Sequence, residues 1–137
     1  MIAGLYAALT GMNAATLRAE VAARNIVNSL SSGTDPNAAP LASETLAGTQ
    51  AYQPQRVVQY STPGGTAAKA VPVKPATIPV YDPTNPAADQ NGVAQYPNVS
   101  PENELVQLTL AVTSYKANAE VLKTLDETMG KLLDSKS

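Results

Sequence analysis

Apolar positions recur with helical spacing at both ends of the chain and with no such spacing between them. Ile2, Leu5, Leu9 and Met12 follow a 3-4-3 pattern, and Ile26 and Leu30 fall on the same register, with Thr16, Ala19 and Ala23 at the intervening positions. Such a stripe predicts a helix that packs against other helices. At ~1.5 Å per residue it would run for roughly 40 Å. Propensity alone leaves a helix of this kind marginal, so its apolar face needs a partner. Near the other end, Ser100 can cap, Pro101 suits the first helical position, and Glu102 and Glu104 favour the positive end of the helix dipole. Leu105, Leu108, Val112, Tyr115, Ala119 and Leu122 then repeat at 3-4-3-4-3, continuing at Leu125, Met129 and Leu132. The step from Leu122 to Leu125 breaks the alternation and predicts a local overwinding. Glu127 and Lys131 form an i,i+4 pair on the outer side.

These patterns divide the chain into an N-terminal helix (1–31), an extended loop with a small β-rich middle (32–99) and a C-terminal helix (100–137). The fold class expected is mainly α with a small β/irregular middle. Within that middle, "RVVQY" (56–60) reads as a short strand, and Pro63-Gly64 in "STPGG" suits the centre of a type II turn. "AVPVKPATIPV" (70–80) alternates but carries Pro72, Pro75 and Pro79, which cannot donate to a ladder. That segment is expected to be an edge strand or polyproline-like. "GTDPNAAPLASETLAGTQA" (33–51) reads as a flexible loop.

Composition then narrows the function. The chain has 137 residues and contains no Phe, Trp, Cys or His; six tyrosines are its only aromatic residues. A core would have to be built from Ala, Val and Leu, without the large rings that normally supply buried area. Missing His and Cys exclude Ser-His and Cys-His catalysis, disulfides and most transition-metal sites. "DPTNPAADQNG" (82–92) scatters oxygen ligands, but its glycine follows Asn91 directly, which does not match a calcium-loop spacing. It reads as a proline-spaced loop. Glu102 and Glu104 are two apart on a helix and point to different sides, so they are not an acid-base pair. No cofactor or metal site is expected, and the protein reads as non-enzymatic. A net charge of −2 carries no electrostatic footprint for nucleic acid. The apolar start "MIAGLYAALTGM" lacks the basic n-region of a secretory signal, and no apolar run is long enough to span a bilayer.

The two stripes suit either an ordinary intrachain core or an assembly interface. Three features favour assembly: the helices sit at the chain ends, both are long, and the middle offers almost nothing large to pack on them.

Particular residues sharpen this. "LTGMNAATLRAEVAARNIVNS" (9–29) resembles the opening helix of flagellar axial proteins, with Gly11, Met12, Arg18, Asn25, Ile26 and Asn28 in matching positions. "ELVQLTLAVTSYKANAEVLKTLDETMGKLLD" (104–134) resembles their closing helix, with Tyr115, Ala117, Asn118 and Leu122 in place. Those ends are shared by rod and hook subunits. "VYDPTNPAADQNGVAQYPNV" (80–99) and "YQPQRVV" (52–58) are similar to the middle of the flagellar basal-body rod protein C family. The chain departs from the family pattern after Asn28, where "SLSSGTDPNAAPLASETLAGTQ" is longer, and at Val27 and Ser29, which replace alanines.

The resemblance implies a structural subunit that stacks helically into the basal-body rod, a periplasmic shaft passing torque from motor to hook. It implies long terminal helices paired as an antiparallel coiled coil, disordered in the free subunit. It also implies export through the flagellar type III apparatus without a Sec signal. Expected partners are copies of the chain, other rod proteins, and neighbours at the membrane ring, export gate and distal rod, without nucleic acid or direct membrane insertion. The subunit-interface residues expected are Leu5, Leu9, Met12, Arg18, Asn25, Ile26, Asn28, Leu105, Leu108, Val112, Tyr115, Asn118 and Leu122.

Asn25 and Asn28 are costly inside a helix, because their amides compete for backbone hydrogen bonds. One reading buries both between subunits, where a buried Asn fixes register. The other has Asn28 merely end the helix in a left-handed cap. The rival functions are another axial subunit, or an exported binding module whose terminal helices only oligomerise it.

Overall fold

The computed structural model describes residues 2–34 and 50–135. Helix α1 spans Ile2–Asn28 and helix α2 spans Pro101–Asp134. Between them lie strands β1 (Gln55–Thr62), β2 (Gly65–Pro72), β3 (Thr77–Tyr81) and β4 (Val93–Pro97). Most of the loop expected over 33–51 lies outside the described residues.

Alanine, the strongest helix former, dominates α1 and leaves little that competes with its backbone. The helix ends through side chains that reach back. Asn28 Nδ2 donates to the Arg24 carbonyl at 2.8 Å, Ser29 Oγ to Ile26 O at 2.8 Å and Ser31 Oγ to Asn28 O at 2.7 Å. The two serine bonds satisfy carbonyls that a helix terminus leaves unpaired, whereas the Asn28 amide adds a second donor to a carbonyl inside the helix ladder. Asn28 is the last residue of the helix, but the chain does not leave it by the left-handed route, since no described non-glycine residue has positive φ. At the start of α2 the expected cap forms: Ser100 Oγ accepts from Asn103 N, and Pro101 takes the first turn. Glu102 accepts from its own backbone N–H and from the Ser100 hydroxyl, which holds its carboxyl below the usual range.

The two-residue turn Pro63-Gly64 joins β1 to β2 in an antiparallel hairpin, with Thr62 opposite Gly65 and φ of +92° at Gly64. The hairpin lies on α1. A side chain at Gly65 would collide with Thr10, and Thr66 N donates to Thr10 Oγ1 at 3.2 Å. Strands β3 and β4 form a separate antiparallel pair. The proline-rich run resolves into three parts: Pro72 ends β2, residues 73–76 turn through a cis Lys74–Pro75 bond, and Pro79 sits in β3. Pro79 is opposite Gln95, whose own N–H and C=O both bond to Gly33 on the other edge of β4. Gln95 thus turns its polar groups away from β3, and the missing N–H of Pro79 breaks no ladder bond.

The helices α1 and α2 run in opposite directions along each other. Leu125 packs on Gly4, Asn118 on Gly11, and Glu104 bonds to Asn25. Steps of 7 and 14 residues along α1 are mirrored by the same steps on α2. Among the described residues, the buried hydrophobic ones are Ala8, Ala14, Ala15, Val21, Ala22, Ala51, Ala94 and Ala111. This corrects the predicted seams. Ile2, Leu5 and Leu9 are exposed on α1 and Leu30 is exposed just beyond its end, while Ala8, Ala15 and Ala22 face inward. On α2, Leu105, Val112 and Tyr115 are exposed, whereas Ala111 is fully buried. Small residues let the backbones approach closely, and the larger leucines remain for other surfaces. The inward positions Glu104, Ala111, Asn118 and Leu125 repeat every seven residues, so the predicted break at Leu122–Leu125 is not present on the face that packs.

An overpacked seam should be costly, and an emptied outer position should not be. Ala15→Leu is expected to lower unfolding stability by about 1–3 kcal/mol. Val27→Ala, at an outer position of α1 that is 82% exposed, is expected to change it by less than about 0.5 kcal/mol. Urea melts of the two variants check the contrast.

Candidate assembly surface and its interhelical clamp

Asn25 is 0% exposed, the one buried polar residue among those described. Its Nδ2 donates to Gln55 O at 2.7 Å and to Glu104 Oε1 at 2.9 Å. Its Oδ1 accepts from Tyr52 OH at 3.0 Å and from Gln55 N at 3.3 Å. Two donors and two acceptor sites are the full capacity of an amide. Asn25 therefore ties α1 to α2 and to the root of β1, all within one chain. These bonds stand where partners on a neighbouring subunit were expected. Asn28, at the helix end, likewise bonds within its own helix. Burial raises the pKa of Tyr52, with Arg24 opposing and Glu104 adding to the shift. The phenol stays protonated and keeps donating to Asn25.

Beside the clamp, a cleft of about 270 Å³ is lined by Arg18, Val21, Ala22, Gln55, Arg56, Val57, Glu104 and Gln107. Arg18 donates to Gln59 on β1. The cleft's ionisable groups are two guanidiniums and one carboxylate already engaged by Asn25, an arrangement without a nucleophile. Among the described residues, no group of three or more His, Cys, Asp or Glu could hold a metal.

The expected interface residues divide into three sets. Leu5 (47%), Leu9, Leu105 (58%), Val112 and Tyr115 (43%) are exposed and available to a neighbour. Met12, Arg18, Ile26, Asn28, Leu108, Asn118 and Leu122 are half-buried along the helix pair. Asn118 donates to Ser114 O at 2.8 Å and rests on Gly11, where any side chain would clash with its amide. Asn25 is wholly internal. The sequence reading missed Tyr52, Gln55 and the bonding role of Glu104. Nothing local marks them; the seven-residue recurrence of Ala8, Ala15 and Ala22 was the one signal pointing to the true seam.

The 82–92 loop is held by its own carboxylates. Asp82 accepts from Thr84 Oγ1 at 2.8 Å and from Tyr96 OH at 2.9 Å. Asp89 Oδ1 accepts from Val93 N at 2.9 Å and Asn91 N at 2.8 Å. These donors, Thr84 first for Asp82 and Val93 first for Asp89, hold both pKa values below the ordinary 3.8. The oxygens that composition offered as calcium ligands are thus spent on the loop itself.

Comparison with known proteins gives a consistent result. Residues 90–135 match the family described as flagellar basal body rod FlgEFG protein C-terminal. The flagellar basal-body rod protein FlgC of Salmonella typhimurium is 33% identical over 124 residues, covering 90% of this chain and 89% of that protein. FlgC of Escherichia coli O157:H7 is 32% identical over the same coverage. FlgC of Agrobacterium fabrum is 28% identical over 127 residues, covering 91% and 87%.

Depressed carboxylate pKa values stabilise the folded loop above the unfolded value and lose that effect as pH falls through the folded value. The loop contribution of Asp82 and Asp89 should be complete well above pH 3.8, shrink as pH falls below 3.8, and be gone once pH is under the depressed folded values. Carboxyl titration by NMR should place both midpoints under 3.8, with the Val93 amide shift following Asp89.

Proposed function

We propose a mode of assembly that starts from a plain premise: the chain belongs to the FlgC family of flagellar basal-body rod proteins and is a structural subunit of that rod. Membership implies assembly with copies of itself and with other basal-body components. The family is a structural one, and this chain acts through contacts, with no catalytic step. No described helix is long and apolar enough to cross a membrane.

In the proposed mode, α1 and α2 pair as an antiparallel coiled coil whose outer face is covered by neighbouring subunits. One observation carries it. Among the described residues, the buried apolar side chains are seven alanines, one valine and two prolines, while Leu5, Tyr6, Leu9, Leu105, Leu110, Val112, Tyr115, Val121, Leu132 and Leu133 stay exposed. A buried leucine contributes about 1.5–3 kcal/mol and each methylene about 0.8 kcal/mol. The chain therefore keeps its most valuable apolar surface outside. Leu5, Leu9, Leu105, Val112 and Tyr115 are the proposed subunit contacts, flanked by Met12, Ile26, Leu108 and Leu122. Contacts between unlike faces do not close on themselves, so the structure extends along an axis. Repeated helix contacts around and along that axis make a stiff shaft, which is what torque transmission needs. The chain travels through the flagellar type III apparatus and meets membrane-ring or export-gate components at one end and distal rod proteins at the other.

Two measurements test this. Circular dichroism of the purified chain should show low helicity when dilute, rising as it polymerises; helicity independent of concentration points instead to an oligomerised binding module. Leu105→Asp with Val112→Asp should leave chain solubility intact and abolish motility and rod completion. Normal swimming and basal-body yield in that variant contradict the proposed face.

A further inference from the structure

The seam of α1 is nearly blind to register. Ala8, Ala15 and Ala22 are buried at seven-residue intervals, and Gly4 and Gly11, also seven apart, receive Leu125 and Asn118. Sliding α2 along α1 by seven residues, roughly 10.5 Å, would present Asn118 to Gly4 and Ala111 to Gly11. A glycine would again receive the asparagine. The same slide would set Glu104 opposite Arg18, an attractive pair. Neither size nor charge along the seam rejects this second register.

Asn25 does reject it. Its partners do not repeat: the Gln55 backbone and the Tyr52 hydroxyl come from the middle of the chain, and Glu104 from the first turn of α2. After the slide Asn25 would stand opposite residue 97, outside α2, and its bond to Glu104 would be lost. A buried amide stripped of a partner is strongly disfavoured. In the observed register, Arg18 is occupied by Gln59 on β1, which removes the lure of the alternative.

We infer that Asn25 is the register key of the helix pair, selecting within one chain between two heptad registers that the seam itself accepts. The consequence for assembly, though not the key itself, rests on the function proposed above. Register decides which α2 residues stand beside Leu5 and Leu9, and hence the shape of the face a neighbour meets.

The chain has no cysteine, so introduced pairs report register cleanly. Gly4→Cys with Leu125→Cys closes a disulfide in the observed register; Gly4→Cys with Asn118→Cys closes one only after the slide. Positions 118 and 125 are two turns apart, and a disulfide needs Cα atoms within about 7 Å, so one register cannot close both pairs. Each pair is placed in the full-length chain with Asn25 and with Asn25→Ala, and oxidised at a concentration where helicity has reached its plateau. With Asn25, the 4–125 bond forms and the 4–118 bond stays at background. With Asn25→Ala, the 4–118 product should rise about tenfold or more, the shift expected for losing a bond to a charged partner. A 4–118 yield unmoved in a helical Asn25→Ala chain overturns the inference. If Asn25→Ala removes the helical signal, Tyr52→Phe is read in its place. It deletes one of the four bonds, and a slipped product at background there overturns the inference equally. The disulfide ratio is set within one chain. Failure of the rod-assembly reading, seen as concentration-independent helicity, is therefore recorded separately.

Discussion

The close approach of two long helices is the constraint on which the rest of the molecule depends. Gly4, Ala8, Gly11, Ala15 and Ala22 give α1 a face with almost no side-chain height, and Ala111 does the same on α2. Asn118 fits only because glycine lies beneath it, and Leu125 rests on Gly4 at ordinary contact distance. Such a seam fixes geometry well and buries little. An alanine methyl removes far less apolar area from water than a leucine does. A pair built this way is well shaped and weakly held, and its large residues are left on the outside.

A weak seam makes its polar contacts decisive. In a core rich in leucine, burying an asparagine costs stability that packing easily covers. Here the asparagine supplies much of the specificity. Asn25 fills all its hydrogen-bonding capacity and reaches three separate parts of the chain, so the cost of an amide inside a helix is offset at one point. Tyr52 contributes because burial keeps its hydroxyl protonated. The helices and the hairpin are joined at that cluster rather than by a shared hydrophobic centre.

Local chemistry made much of this fold readable. The Ser100 cap, the Pro63-Gly64 turn and the edge positions of the prolines each follow from one residue's own backbone preference. The packing faces did not follow, because periodicity weighs residues by size. Leu5, Leu9, Leu105 and Val112 make the louder stripe, yet that stripe faces outward. Ala8, Ala15 and Ala22 carry no weight in such a reading although their seven-residue interval is plain. The partners of Asn25 lay beyond local reach as well, 27 to 79 residues away in sequence. What an asparagine is for depends on what the fold brings to it.

The position of the β-hairpin completes the division of surfaces. Among the described elements, α1 packs on both α2 and the hairpin, while α2 packs mainly on α1. Thr10 accepts from Thr66 on one side of α1, and Gly11 receives Asn118 on another. Helix α1 is thus the shared element, flanked on two sides. Helix α2 keeps most of its circumference open, and along it stand Leu105, Leu110, Val112, Tyr115, Val121 and Leu132. An uncovered helix of 34 residues with apolar groups on several sides is poorly suited to a lone molecule in water. It is well suited to a wall in which each copy is enclosed by others, and a subunit of a rod has such surroundings.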